Sequence, residues 1–162
     1  MSKKRVLGVI GLGHVGAHVA YSLAVQGIAD ELVLVDKNEQ KLASEVQDLR
    51  DAAAYLLTVR AGDFADLGEC DVIVNSVGKI ELLRETHDRL TEMDFTVPAV
   101  RSYAAKIKAS GFDGVLIHGG PGFLFTQFLS PLMNTRTDSY GGSLENRYRV
   151  LHEIIENIQA QC

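Results

Sequence analysis

The chain has 162 residues, of which 46% are hydrophobic and 23% charged, with 15 Gly and 3 Pro. This composition is typical of one globular domain and excludes a disordered chain, a collagen and a long coiled coil. The formal net charge is -5, and no basic block offsets the acidic excess. We therefore expect neither nucleic acid nor an anionic membrane surface as a partner.

The two cysteines, Cys70 and Cys162, are widely spaced and show no metal-ligand pattern. Such usage is typical of a reducing compartment. The basic start MSKKR leads into an apolar stretch that glycines interrupt too early for a signal segment or a membrane span. We expect a cytoplasmic protein that is a monomer or a weak homodimer.

Short apolar runs alternate with amphipathic segments along most of the chain. The runs predict buried parallel strands, and apolar residues at three- and four-residue spacing predict helices that cover a sheet. Pro98 predicts a kink or a break within the third helical stretch. In chain order the predicted elements are strand 6–10, helix 15–26, strand 32–35, helix 39–56, a weaker strand 57–61, strand 72–74, helical stretch 91–109 and strand 115–117.

The character of the sequence changes after residue 117. Residues 118–142 are rich in Gly, Phe and polar turn formers, and they form a connection longer than is usual between a strand and a helix. A helix is predicted over residues 143–159, with Ser143 supplying the N-cap oxygen.

A glycine-rich turn, GLGHVG, follows the first predicted strand and opens a helix, and Asp36 ends the next strand. In a dinucleotide-binding unit the first glycine makes the tight turn, the second admits the pyrophosphate and the third lets the helix pack on the strand. The phosphates meet the helix N-terminus, and Asp36 receives the adenosine ribose hydroxyls. Its charge favours NAD over NADP, a preference that Lys37 weakens slightly. The predicted cofactor-binding residues of this segment are Gly11, Leu12, Gly13, His14, Val15, Gly16 and Asp36.

These elements predict an α/β protein with a three-layer, Rossmann-like, doubly wound parallel sheet of about five strands in the order 3-2-1-4-5. The cofactor crevice is expected at the carboxyl ends of strands 1 and 4. We expect a single domain, of which residues 1–117 are the dinucleotide-binding portion and residues 118–162 are a grafted loop and helix.

From residue 5 to residue 117 the chain resembles the nucleotide-binding half of the L-lactate and L-2-hydroxyacid dehydrogenases of the hydroxyisocaproate type. The segments VIGLGHVGAHVAYSL, GIADELVLVDKNEQKLASEVQDLRDA and GDFADLGECDVIVNSVG carry this resemblance, together with the loop KIELLRETHDRLTEM. It implies that the turn Asn75-Ser76-Val77-Gly78 also surrounds the cofactor. Ser76, Val77 and Gly78 therefore join the predicted cofactor-binding residues.

The catalytic residues of that family have no full counterpart here. Arg89 matches the loop arginine that polarises the substrate carbonyl, but the family's proton-exchanging histidine, its aspartate partner and its second arginine lie in a half that this sequence lacks. We interpret Arg89 as vestigial, because hydride transfer needs the acid, the base and the substrate clamp in place. No catalytic residue is predicted.

From about residue 111 to residue 160 the chain resembles a second family, the old yellow enzyme group of flavin-dependent TIM barrels. The segment NTRTDSYGGSLENRYR carries it most specifically. His118 matches that family's substrate-binding histidine, but Pro121 and Phe123 stand where a second His or Asn and a proton-donating Tyr are usual. Only one βα unit of that barrel is present, so we expect FMN binding to be unlikely and His118 to be vestigial. Residues 111–115 fit both families and would allow two proteins to be joined there.

Three further patterns could suggest a functional site, but we give each of them a non-functional interpretation. His14 and His18 lie one helical turn apart, but no third ligand is evident, so no metal site is predicted. We interpret Arg136, Asp138 and Arg147 as partners in loop hydrogen bonds and salt bridges. The segment HGGPG is similar to a hydrolase oxyanion loop, and the lack of a GxSxG motif excludes that activity.

Three hypotheses for function follow. The first is an engineered chimera that binds NAD(H) without catalysis and is therefore not an enzyme. The second is a fold-design or evolution test protein without a ligand. The third is a minimal oxidoreductase that uses NADH or a flavin. Affinity for a nicotinamide dinucleotide distinguishes the first two.

Overall fold

The computed structural model describes residues 3–53, 57–86, 89–120 and 123–161; for residues 80, 83, 86, 89–93 and 161 it describes the backbone alone. The chain divides into two compact units, residues 1–112 (unit 1) and residues 113–162 (unit 2). The expectation of one domain across the whole chain stays a prediction.

Unit 1 contains the first four predicted strands and the predicted helices in the predicted order, together with a 3-10 helix and the helix α3 (Ile80–Thr86), which were not predicted; α3 lies in the segment that the sequence analysis described as a loop. Its elements are β1 (Val6–Ile10), α1 (His14–Val25), β2 (Glu31–Val35), α2 (Glu39–Ala53), β3 (Thr58–Ala61), a 3-10 helix (Asp66–Glu69), β4 (Val72–Asn75), α3 (Ile80–Thr86) and α4 (Arg89–Ala109). Within the described residues the sheet has four parallel strands in the order β3-β2-β1-β4. The parallel α/β fold and the order of its first four strands are thus confirmed. The predicted end of the second helix at residue 56 lies outside the described residues.

The core of unit 1 lies on both faces of the sheet. Leu32 and Leu34 point to one face and pack with Ala20, Val46 and Leu49 of α1 and α2. Val33 and Val35 point to the other face, where Leu67 and Tyr103 cover them. Because successive strand residues face opposite sides and both sides are covered, β2 is an unbroken apolar run. The three predicted layers are therefore present.

One prediction about the later elements of the chain is wrong. Residues 115–117 do not form a fifth strand: Leu116 is 97% exposed, and the sheet of the described residues ends at β4. An apolar run becomes a strand only when its backbone pairs with a neighbour, and this run belongs to unit 2. Of the kink or break predicted at Pro98, a break is absent, since α4 continues through it as one helix, and a kink stays a prediction. A proline removes one backbone hydrogen bond, and the neighbouring turns can hold the helix together.

Unit 2 contains α5 (Leu124–Leu129) and α6 (Leu144–Gln161). The short helix α5 lies inside the connection that the sequence predicted as irregular. The start of α6 agrees with the sequence, because the Ser143 hydroxyl accepts a hydrogen bond from the Asn146 amide at 3.3 Å. In the described residues, no helix is long and apolar enough to span a membrane.

Candidate functional site

The glycine-rich turn sits where β1, β2 and β4 end. The register places Ile10 opposite both Val35 and Asn75, so all three strands finish at one level. Beyond it, the Gly11 amide donates to the Val35 carbonyl at 2.8 Å. The three strands thus end together at the carboxyl edge of the parallel sheet, which is where open α/β sheets bind ligands.

Two of the three glycines are required by the packing of the turn itself. Gly11 has φ = +83°, a backbone conformation that favours glycine, and a Cβ there would lie 3.1 Å from the backbone of Val77. A Cβ on Gly16 would lie 1.8 Å from the Gly11 carbonyl oxygen. Helix α1 can therefore approach β1 only through a glycine at position 16.

Gly13 differs from both of them. Its φ of -64° suits any residue, and among the described residues other than its chain neighbours no atom lies within 4 Å of the position that a Cβ would occupy. It is the N-cap of α1, and no side chain of the described residues caps it. The packing of the chain does not explain a glycine here, whereas close approach of an external group would.

Asp36 ties the turn to the end of β2. Its Oδ2 accepts a hydrogen bond from the Leu12 amide at 2.6 Å, and its Oδ1 accepts one from the Asn38 amide at 2.8 Å. Each oxygen of an ionised carboxylate can accept about two hydrogen bonds. The carboxylate is therefore fixed in position by the backbone and can still receive hydroxyl donors from outside.

Ser76 has a structural role that the sequence did not reveal. Its hydroxyl lies 2.6 Å from the Gly11 carbonyl oxygen and 2.9 Å from that of Ile10, and its amide continues the β1–β4 ladder by donating to Ile10. Val77 packs its backbone against Gly11, and Gly78 follows as an exposed loop residue. This turn closes one side of the glycine-rich loop.

A hydrogen bond between Tyr103 and Asn75 connects α4 to the end of β4. The Tyr103 hydroxyl, on α4, donates to Asn75 Oδ1 at 2.8 Å, and its ring stacks on Phe64 at 4.9 Å between centroids. Tyr103 is 4% exposed, and burial raises the pKa of its phenol, so it remains a donor. The register of α4 against β4 is a tertiary feature, which sequence patterns do not report.

Phe95 and Lys79 extend the site beyond the predicted residues. The Phe95 ring of α4 lies 4.6 Å from the Lys37 ammonium and 5.4 Å from the Lys79 ammonium, both measured to the ring centroid. Cations at such distances are attracted to the face of an aromatic ring. Lys37, the residue after Asp36, and Lys79 thus contact the same aromatic ring, whereas the sequence analysis considered Lys37 alone.

The remaining candidates are placed as follows. His14 begins α1 and Val15 follows it, both exposed. The side chain of Arg89, at the start of α4, lies outside the described residues. His118 belongs to unit 2 and follows no strand; its ring packs edge-on to Phe123 at 4.7 Å. The described residues contain no group of three or more His, Cys, Asp or Glu side chains suited to hold a metal ion.

Comparison with known proteins supplies the family. Residues 70–162 match the model of the NADH:flavin oxidoreductase / NADH oxidase family, so the chain belongs to that family. It is also 32% identical to an L-lactate dehydrogenase of Fusobacterium nucleatum over 170 residues, covering 99% of this chain and 52% of that protein. An NADPH dehydrogenase of Halalkalibacterium halodurans is 44% identical over 110 residues, covering 67% of this chain and 32% of that protein. The mixed character predicted from the sequence is confirmed.

Solved structures give the same picture of the fold. The minor L-lactate dehydrogenase of Enterococcus mundtii, in a ligand-bound form, aligns with a TM-score of 0.63 and 26% identity over 80% of this chain and 42% of that one. A lactate dehydrogenase from a Medee basin deep-sea metagenome aligns with a TM-score of 0.60 and 28% identity over 71% of this chain and 37% of that one. This chain spans about half the length of the first curated relative and about a third of the second.

The expectation that the chain is not an enzyme is wrong, because its family and these relatives are oxidoreductases by name. That expectation was drawn from catalytic residues missing from one sequence. This chain spans only part of the length of its relatives, so the absence of such residues from it does not argue against membership of the family. The expectation that FMN is unlikely is not confirmed either, since the matching family is described by its flavin.

Proposed function

We propose that this chain is a nicotinamide-dependent oxidoreductase in which unit 1 binds the adenosine and pyrophosphate of NAD(H). The observation that carries the proposal is Gly13, whose open side lies at the start of α1 next to the carboxylate-tied turn. A helix N-terminus offers unpaired amides and a partial positive charge to a phosphate. The lactate dehydrogenases among its relatives support this choice of ligand.

The residues of the turn divide the work of binding between them. Gly13 admits the pyrophosphate, and Gly11 and Gly16 hold the backbone around it. Asp36 accepts the ribose hydroxyls on the lone pairs that Leu12 and Asn38 leave. A bound nicotinamide would supply hydride transfer, and the chain's own contribution is to bind and orient the dinucleotide.

The choice between NADH and NADPH depends on local charge. The negative charge of Asp36 would repel a 2′-phosphate. The positive charges of Lys37 and Lys79, which lie against the ring of Phe95, would attract it. Asp36 is the residue that would accept the ribose hydroxyls, so its repulsion would act at the 2′ position itself, and we propose a preference for NADH.

The test is calorimetric titration of the full chain with NADH and, separately, NADPH. Gly13→Ala should preserve the fold, because its φ suits alanine and its Cβ meets no atom, but should weaken NADH binding at least tenfold by occupying the space of the pyrophosphate. Gly119→Ala, where a Cβ also meets nothing within 4 Å, is the matched control in unit 2. Equal NADH affinity in the Gly13 variant and the control would reject the proposal.

A second candidate cofactor is a flavin, and the family match over residues 70–162 favours it. The NADPH dehydrogenase among the relatives covers two thirds of this chain, which supports the same direction. Titration with FMN alone, followed by its visible absorbance, tests this candidate. Saturable binding that Gly13→Ala leaves unchanged would place the flavin outside the glycine-rich turn.

We further propose that the chain has a two-part origin, with the junction near residues 111–115. The boundary between the compact units falls at Phe112 and Asp113, and Gly111 has φ = +77°, which supports a junction there. That this junction was engineered stays a prediction, as does the cytoplasmic location.

A further inference from the structure

We propose that His14 and His18 form a two-imidazole site for a divalent transition metal on the exposed face of α1. The two rings lie one helical turn apart, with centroids 4.4 Å from each other, and both residues are exposed. A tetrahedral ion with metal–nitrogen bonds of about 2.0–2.1 Å places two ligand nitrogens roughly 3.3 Å apart. Two histidines at positions i and i+4 on one face of a helix can bind the same ion.

The contact of the His18 ring with the backbone is the second observation. Its Nδ1 lies 2.7 Å from the His14 carbonyl oxygen. Because a carbonyl oxygen can only accept, Nδ1 carries the proton, and a neutral ring then has its lone pair on Nε2. Histidines that bind metals commonly donate their other ring nitrogen to a backbone carbonyl in this way, which fixes the ring orientation.

The surface around the pair has room for an ion with its water ligands. An open groove of about 430 Å³ is lined by His14, Val15, His18, Val19, Ser22 and Leu23. Ser22 lies one further turn along the same line of the helix, so its hydroxyl can accept a hydrogen bond from a metal-bound water. Imidazole nitrogens as the protein ligands favour Cu²⁺, Ni²⁺ and Zn²⁺ and disfavour Mg²⁺ and Ca²⁺.

His14 is also one of the predicted cofactor-binding residues of the glycine-rich turn, whereas His18 lies one helical turn further along α1 and outside that set. A metal that links two side chains of the folded helix binds the native state in preference to the unfolded chain, and therefore stabilises α1. The proposal does not depend on the proposed dinucleotide function.

The experiment is titration of the full chain with Zn²⁺, Ni²⁺ and Mg²⁺ by calorimetry, together with thermal unfolding followed by circular dichroism. We expect saturable binding of Zn²⁺ and Ni²⁺ with a raised Tm, and none of Mg²⁺. His14→Ala and His18→Ala should each weaken binding at least tenfold. Both residues are exposed and alanine favours helices, so the variants should fold, as their spectra without metal would verify.

His152→Ala is the matched control, because its i,i+4 neighbour on α6 is Glu156 instead of a second histidine. It should bind as the parent chain does. Unchanged zinc affinity in the double variant His14→Ala/His18→Ala would overturn the proposal and assign the metal to a thiolate or to another histidine.

Discussion

The interior of unit 1 and the interior of unit 2 are stabilised by different kinds of interaction. In unit 1 the side chains of Val9, Leu12, Leu32, Val33 and Leu34 are fully buried between helices and sheet. In unit 2, no hydrophobic side chain of the described residues is buried to a comparable degree, and Leu132 is 90% exposed. Burial of apolar surface is the dominant favourable contribution to folding, so unit 1 has the ordinary basis of a stable domain and unit 2 does not.

In unit 2, hydrogen bonds from side chains to the backbone take the place of a hydrophobic core. The Asn134 amide donates to the carbonyls of Phe128 and Tyr140 at 2.8 and 2.7 Å, and the Arg147 guanidinium donates to the Leu129 carbonyl at 2.8 Å. The Arg149 guanidinium donates to the Ser139 carbonyl in the same way. Such bonds give a loop a definite shape, but each contributes only about 1 kcal/mol net. The comparison teaches that a segment can be well specified in conformation and weakly stabilised.

The largest effect is expected from truncation in the core of unit 1. Leu34→Ala removes a side chain with 0% exposure and should cost about 2–5 kcal/mol of unfolding free energy. Leu151→Ala, on the partly buried face of α6, should cost less because that face can still reach water. Urea unfolding followed by circular dichroism measures both. Equal costs at the two sites would remove the basis of the comparison.

A substitution in the turn should affect stability and binding together. Gly16→Ala places a Cβ 1.8 Å from the Gly11 carbonyl oxygen and 2.4 Å from Ser76 Oγ, so α1 must move away from β1. We expect a loss of about 1–3 kcal/mol, as for other overpacked sites, and loss of NADH binding. Gly13→Ala should lose binding alone. A Gly16 variant that melts like the parent chain would show that α1 is not held against the turn.

In unit 2 the most sensitive single side chain should be Asn134. Asn134→Ala leaves two carbonyls without their donor and should cost about 2 kcal/mol or less. Hydrogen exchange measured on peptides from residues 123–142 should rise, while exchange in β1 and β2 stays unchanged. The control is Asn157→Ala, which removes a side-chain hydrogen bond to the Glu153 carbonyl within α6. It should leave the exchange of residues 123–142 unaltered.

The smallest effect concerns acid stability, and it should fall on unit 1. Hydrogen bonds from Lys4 and Arg60 hold the pKa of Glu31 below its ordinary value, and the Arg5 side chain lowers the pKa of Asp30. A lowered folded-state pKa means that the unfolded chain binds more protons in acid. The stability that these two carboxylates contribute is therefore fully present above their pKa in the unfolded chain, at about pH 4. It is lost as the pH falls through their folded-state pKa.

Glu31→Gln should flatten the acid side of the stability curve, measured as the urea midpoint against pH. Glu156→Gln, at an exposed position of α6, should leave that curve unchanged. A curve that keeps its acid slope in the Glu31 variant would assign the slope to other carboxylates.

The first half of the fold followed from local patterns because each local preference agreed with the tertiary structure. β1 has the bounds that its apolar run predicted, and Asp36 stands at the end of β2 next to the glycine-rich turn. The run at residues 115–117 is as apolar as β4, and its failure to pair shows that a strand is decided by its neighbour. Likewise, Pro98 has a local preference that the rest of α4 overrides.

The sequence by itself determined the parallel α/β order of unit 1 and the positions of Gly11, Gly13, Gly16 and Asp36, because spacing along the chain specifies these features. Only the tertiary structure decided that Ser76 holds the turn, that Tyr103 contacts the end of β4, and that Lys37 and Lys79 both lie against the ring of Phe95. Those contacts join residues far apart in sequence, and their geometry depends on how helices pack on the sheet. Periodicity reports which face of an element is buried, but not which residue it meets there.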